Sequence, residues 1–152
     1  MRNVSVLLLS LAAACAPAAT TTTASPAPAP AATTAEPSAW RRGNYKATIT
    51  AADLPAGAPA DELAGAWEIQ FHEGNHFVVM RNGAQMLQGN YQVSGGRLSF
   101  LGAGETGPYA CNVAASYTWQ TTGSQTTFSP VGTDSCRGRA VVIGNRAFSF
   151  SP

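Results

Sequence analysis

The chain has 152 residues, with nine basic and eight acidic side chains, and only 11% of its residues are charged. This length fits a single folded domain. Arg41 and Arg42 are the only adjacent basic residues, and the overall charge is close to balanced. Nucleic acids and other acidic polymers are bound through basic stripes or clusters, so the composition argues against such partners.

An export signal is predicted at the N-terminus. Arg2 precedes an apolar run at residues 4–14, which is too short to span a bilayer and ends in small residues. Cys15 stands at the exit of this run and resembles the lipobox cysteine of bacterial lipoproteins, whose signal is cut just before a cysteine that carries lipid. The resemblance implies a signal peptide at residues 1–14 and lipidation of Cys15. It also implies anchoring to a bacterial envelope membrane, at the outer membrane or the cell surface. The alternative is plain secretion, with cleavage after Ala14 or Ala19.

A disordered spacer is predicted after the anchor, so that residues 15–39 form the lipid anchor and linker. Residues 16–39 are almost entirely Ala, Thr, Pro and Ser, with one charge at Glu36. Such a segment buries too little apolar surface to offset the entropy of ordering it. It would reach roughly 25 Å as a coil and about 75 Å when fully extended. The folded domain therefore covers residues 40–152.

The domain is predicted to be all-β. Trp67, Ile69 and Phe71 alternate with polar residues, which is the period of a strand with one buried face. Asn82-Gly83 indicates a tight hairpin, because both central residues of that turn need positive φ. Consecutive short hairpins favour a small eight-stranded antiparallel up-and-down barrel over a sandwich, since closure removes unpaired edges. Strands are expected near 45–50, 66–72, 76–81, 85–93, 97–101, 115–121, 125–131 and 139–144, with a ninth candidate at 147–151 and a helical turn near 61–63.

Five motifs follow one another in the domain: Gly65-Ala66-Trp67, Gly89-Asn90-Tyr91-Gln92-Val93, Gly107-Pro108-Tyr109-Ala110-Cys111, Tyr117-Thr118-Trp119 and Asp134-Ser135-Cys136-Arg137-Gly138-Arg139. This ordered set, over about residues 44–148, resembles the lipocalin-like (calycin) domains of secreted bacterial proteins. The resemblance implies that Trp67 closes one end of the barrel. It also implies that Arg139, from a late strand, lies across that indole in a cation–π contact of about 0.5–2 kcal/mol.

Two cysteines remain once Cys15 is assigned to the anchor. In an oxidising compartment Cys111 and Cys136 are predicted to form a disulfide, with two buried free thiols as the alternative. The disulfide would join the loop after the fifth strand to the start of the last strand and hold the barrel shut.

Inward aromatic side chains are the candidate binding residues. They are expected to line an apolar pocket with tyrosine hydroxyls as polar groups, or else to fill the core. The set is Phe71, Phe77, Tyr91, Phe100, Tyr117, Trp119 and Phe128.

Catalytic and metal sites are not predicted. His72 and His76 flank a turn with Glu73, a conceivable metal site, but two exposed loop histidines are the simpler interpretation. The sequence contains no Gly-x-Ser-x-Gly motif. Residues 72–76 do match the pattern His-Glu-x-x-His, but that pattern binds zinc from one face of a helix, and here it falls on a turn between two predicted strands. We therefore expect no enzyme activity, no cofactor and no metal.

The leading functional hypothesis is a membrane-tethered lipoprotein whose barrel binds a small apolar or amphipathic ligand. The main alternative is an envelope protein-binding module, such as an inhibitor of lysozyme or of a secreted protease. It would act through loops or through the arm Trp40-Arg41-Arg42-Gly43. A third interpretation is an envelope scaffold without a ligand.

Overall fold

The computed structural model describes residues 39–152. They form a closed antiparallel barrel of eight strands, in which each strand pairs with the next along the chain and the last pairs with the first. The predicted up-and-down barrel is confirmed. The strands are β1 (Gly43–Ile49), β2 (Gly65–Phe71), β3 (His76–Arg81), β4 (Ala84–Ser94), β5 (Arg97–Phe100), β6 (Ala115–Thr122), β7 (Gln125–Pro130) and β8 (Arg146–Ser151).

Two short helices lie between strands. Helix α1 (Ala60–Leu63) precedes β2, where a helical turn was expected, and α2 (Arg137–Ile143) connects β7 to β8. Neither helix has the length and apolar character needed to cross a bilayer. The predicted signal peptide, the lipidation of Cys15 and nearly all of the predicted linker lie outside the described residues.

Local sequence explains the regular hairpins. Trp67, Ile69 and Phe71 of β2 are buried, whereas the residues between them are more exposed, as the alternation predicts. The turn between β3 and β4 has Asn82 at φ 50° and Gly83 at φ 80°, a left-handed pair that asparagine and glycine tolerate best. The hairpin predicted from Asn82-Gly83 is therefore confirmed.

The strand predicted at 139–144 is wrong, because these residues belong to α2. Their Val-Val-Ile run resembles a strand, but Arg139, Val142 and Ile143 are the buried positions, and their spacing of three and four residues is that of one helix face. The ninth candidate segment supplies β8 instead and completes the barrel of eight strands.

The two ends of the barrel are built differently. One end, here called the turn end, carries Trp40 and the short turns at 72–75, 95–96 and 123–124. The opposite end, the helical end, carries α1, α2 and the long β5–β6 loop at residues 101–114. Any site that needs space and variable loops is therefore expected at the helical end.

Aromatic rings fill the turn end. Trp40 enters the barrel just before β1, and its indole packs mostly edge-to-face or tilted against its neighbours, geometries that aromatic pairs prefer. Burial raises the pKa of the Tyr45 hydroxyl to about 12, although nearby Arg41 opposes the shift. The centroid distances from Trp40 are 5.9 Å to Tyr45, 5.0 Å to Phe71, 6.1 Å to Tyr91, 5.1 Å to Trp119 and 6.4 Å to Phe128.

Replacing Trp40 with alanine should destabilise the barrel by about 3 kcal/mol, because it leaves a large void among five rings. Trp40→Phe should lose less stability, since it keeps a ring in contact with the five neighbouring rings. Urea unfolding followed by circular dichroism measures both, with Arg42→Ala at an exposed neighbouring position as the control. Equal stability of Trp40→Ala and the control would contradict this account of the turn end.

Candidate functional site

A cavity of about 400 Å³ opens at the helical end. Its inner wall comes from side chains of β2 to β5, and its outer wall from α1, the β5–β6 loop and α2. Most of the lining is apolar. The inner wall is Trp67, Phe77, Val79, Leu87 and Phe100, and the outer wall includes Pro55, Ala58, Pro59, Glu62, Leu63, Pro108, Tyr109, Ala110, Cys111, Cys136, Arg137, Arg139, Val141, Val142 and Ile143.

A disulfide joins two parts of the outer wall. Cys111 in the β5–β6 loop is bonded to Cys136, which immediately precedes α2, with their Cα atoms 5.8 Å apart. The predicted pairing is thus supported, but the bond reaches the start of α2 and not the start of the last strand. The change follows from the helix that replaces the predicted strand.

Backbone contacts fix the other side of the β5–β6 loop. Thr106 exchanges two hydrogen bonds with Gln88 of β4, and the Tyr109 amide donates to the Met86 carbonyl at 3.2 Å. Gly107 has φ 115°, and a side chain there would collide with the Met86 carbonyl oxygen. The Gly-Pro-x-x-Cys motif therefore contains a glycine because the loop must lie directly on β4.

A buried ion cluster holds α2 in place. The Arg139 guanidinium donates to both oxygens of Asp134, from Nε at 2.8 Å and from Nη2 at 3.0 Å. Its Nη1 donates to Glu105 Oε1 at 3.0 Å, and Nη2 also donates to the Val113 carbonyl at 2.6 Å. The side chains of Arg139 and Glu105 are 3% and 0% exposed. Buried charges of this kind persist only when they are paired and hydrogen-bonded.

Further donors satisfy both carboxylates. Glu105 Oε2 accepts the backbone N–H groups of Cys111 and Asn112 at 3.0 and 3.1 Å. Asp134 accepts the Cys136 N–H at 2.8 Å and the Tyr117 hydroxyl. The cluster therefore links the β5–β6 loop, β6 and α2.

The predicted cation–π contact between Trp67 and Arg139 is wrong. The Arg139 guanidinium carbon lies 5.4 Å from the Phe100 ring, and the guanidinium near Trp67 is that of Arg81, at 6.0 Å. Arg139 lies on α2 and not on a strand, and two carboxylates bind it more strongly than an indole. Trp67 is nevertheless buried, 3% exposed, at the helical end, where its Nε1 donates to the Leu63 carbonyl at 2.8 Å.

The seven candidate aromatic side chains are all buried, but only Phe77 and Phe100 line the cavity. Sequence reasoning missed several other lining residues, including Leu63, Tyr109 and Val142, because helices and an irregular loop carry them and the period of two gives no signal there. The remaining candidates fill the barrel interior: Phe71, Tyr91, Tyr117, Trp119 and Phe128.

The other candidate features lie at the turn end. The segment Trp40-Arg41-Arg42-Gly43 is held on the barrel, since Trp40 contacts five rings and the Arg41 guanidinium lies 4.1 Å from the Phe150 ring centroid. The rings of His72 and His76 are 6.0 Å apart. Within residues 39–152 no group of three or more potential metal ligands is found.

Removing the disulfide should lower the free energy of unfolding by about 3–4 kcal/mol, the loop-entropy value for 25 residues of separation. Cys111→Ser with Cys136→Ser, compared with the oxidised wild type in urea, measures the loss. Adding a thiol reductant should lower the free energy of unfolding of the wild type and leave that of the double variant unchanged. A double variant as stable as the oxidised wild type would contradict this structural role.

Asp134 should make the protein sensitive to acid. Burial opposes its ionisation, but hydrogen bonds from Arg139, Tyr117 and the Cys136 amide lower the pKa of its carboxyl. A carboxyl with a lowered pKa in the folded state adds stability above its unfolded pKa of about 3.9, and that stability is lost as the pH falls through the folded pKa.

Asp134→Asn should therefore be less stable than the wild type at pH 7 and lose less stability on acidification to about pH 3. Urea titrations at both pH values measure the difference, with Asp61→Asn on the exposed face of α1 as the control. An acid response of Asp134→Asn identical to that of the wild type would show that this carboxylate is not the coupled group.

A scan against family models, a search of curated proteins and a search of solved structures each found no match to this chain.

Proposed function

We propose that this protein binds a small apolar or amphipathic molecule in the cavity at its helical end. The observation that carries the proposal is the cavity itself, about 400 Å³ in volume, within a barrel whose other end is filled. Ligand sites in proteins are concave, mostly apolar and about 300–1,000 Å³ in volume. The volume favours a compact ligand over a long acyl chain.

Burial of apolar surface supplies the binding energy in this proposal. Phe77, Val79, Leu87 and Phe100 present apolar groups from the barrel, and Val142 faces them from α2. Each ligand methylene that leaves water and packs against these side chains contributes about 0.8 kcal/mol to the binding free energy. The role is one of binding and presentation, without a chemical step.

The mouth of the cavity gives a ligand access. Pro59 and Glu62 on the α1 side, and Pro108 and Arg137 on the other, are exposed and also line the cavity. Since the disulfide and the ion cluster fix α2 and the β5–β6 loop, the mouth is preorganised, which reduces the entropy cost of binding.

We also propose that the barrel is a lipocalin-like domain of a lipoprotein held at a bacterial envelope membrane through Cys15. Support comes from the closed up-and-down barrel, the buried Trp67 of the Gly-x-Trp motif and the disulfide between two of the motifs. In this proposal the Pro-rich spacer carries the barrel away from the membrane surface.

The protein-inhibitor alternative receives no comparable support. It would act through loops or through a free arm at residues 40–43; Trp40 packs into the turn end of the barrel, so the arm is not free, and no observation singles out a loop for this role. We therefore favour the small ligand.

A Val79→Phe variant should bind ligand about tenfold more weakly, because the larger ring takes the space of about two ligand methylenes. Val79 lines the cavity, whereas its neighbour Val78 lies on the opposite face of β3, so Val78→Phe is the matched control. Fluorescence of N-phenylnaphthylamine added to the purified barrel measures binding. Wild-type protein that does not enhance the fluorescence of this dye, nor take up other compact apolar dyes, would refute the proposed function.

A further inference from the structure

The geometry points to a cavity that accepts neutral and cationic apolar molecules and rejects carboxylates of the same shape. This inference names the ligand class of the proposed site and rests on the proposed function. It follows from the charges and hydrogen bonds of the cavity wall and of the two carboxylates, Glu105 and Asp134, that lie behind Arg139 and do not themselves line the cavity.

Two polar ring groups in the wall already have partners. The Trp67 indole N–H donates to the Leu63 carbonyl at 2.8 Å, and the Tyr109 hydroxyl donates to the Glu62 carbonyl at 3.0 Å. An anionic head group needs free donors in exchange for its lost hydration. These two donors are not free to supply them.

Arg139 is the buried cation of the outer cavity wall, but its charge is more than neutralised. Two buried carboxylates, Glu105 and Asp134, are paired with this one guanidinium, so the cluster carries a net charge of one negative unit. A ligand carboxylate beside it would meet a guanidinium with two anions already bound. Because the three side chains of the cluster are almost completely buried, water screens the resulting repulsion only weakly.

The charges at the mouth do not reverse this preference. Glu62 and Arg137 are both exposed lining residues, and their opposite charges cancel. An exposed arginine also interacts weakly with an anion, because water screens it. The preference is therefore set at the buried cluster.

Four of the side chains that line the cavity are aromatic. Trp67, Phe77, Phe100 and Tyr109 line the cavity, and Trp67 meets Tyr109 edge-to-face at 6.0 Å. Ring faces attract cations and repel anions through their quadrupoles. Where a ring face is open to the cavity, a primary amine on an apolar body is therefore favoured over a carboxylate.

A matched series of adamantane derivatives tests this inference on the wild-type protein. Adamantanol, adamantylamine, adamantanecarboxamide and adamantanecarboxylate share one compact cage, and at pH 7 only the amine is cationic and only the carboxylate is anionic. Displacement of bound N-phenylnaphthylamine measures the affinity of each derivative for the cavity. We expect the carboxylate to displace half of the dye only at a concentration about tenfold or more above that needed for each of the other three derivatives.

The carboxamide separates charge from shape, since it matches the carboxylate in size. A carboxamide rejected as strongly as the carboxylate, or a carboxylate that binds as well as the alcohol, would overturn the inference. Neither result would contradict the proposed function, because the wild-type protein would still bind the dye. Failure of the proposed function would appear earlier, as absence of dye uptake by the wild type.

A charge variant gives a second test. Glu105→Gln keeps the shape of the side chain and removes one negative charge. It should therefore reduce several-fold the gap between carboxylate and carboxamide, defined as the ratio of the concentrations at which they displace half of the dye. Glu73→Gln, an exposed position at the turn end, is the matched control and should leave the gap unchanged. An unchanged gap in a folded Glu105→Gln protein would contradict the role of the cluster. If that variant does not fold, the adamantane series on the wild type still decides the question.

Discussion

The cavity depends on one buried interaction, the pairing of Arg139 with Glu105 and Asp134. The guanidinium projects from α2, Asp134 precedes the helix, and Glu105 belongs to the β5–β6 loop, so the three side chains join the parts of the outer wall. Burying these charges is costly, and the cost is offset because each carboxylate also accepts backbone or hydroxyl donors. The disulfide between Cys111 and Cys136 links the same segments covalently.

The contrast between the two ends of the barrel follows from its size. A barrel of eight strands has an interior that side chains can fill or that holds one small ligand. At the turn end Trp40 supplies an extra ring and the interior is closed. At the helical end Val79 and Leu87 are smaller, and α2 is held above them by polar contacts, so space remains. One fold thus combines a filled aromatic core at one end with a cavity at the other.

Sequence patterns predicted the barrel well where local rules decide the structure. The alternation in β2 and the Asn82-Gly83 turn both appear as expected, because side-chain period and turn conformation depend on neighbouring residues. The same rules failed at residues 137–143, where a Val-Val-Ile run forms a helix. There the disulfide at Cys136 and the buried partners of Arg139 override the strand preference of β-branched residues.

The sequence by itself determined the consecutive antiparallel hairpins of β1 to β7, because side-chain period and turn conformation depend on neighbouring residues. It also favoured a Cys111–Cys136 disulfide over two free thiols. Only the tertiary structure decided which aromatic side chains fill the barrel, where the cavity opens and what Arg139 binds. Arg139 and Glu105 are 34 residues apart in the chain, and nothing in their local sequence indicates that they meet. Such contacts arise only when the barrel closes, since closure brings the β5–β6 loop and α2 together over the same opening.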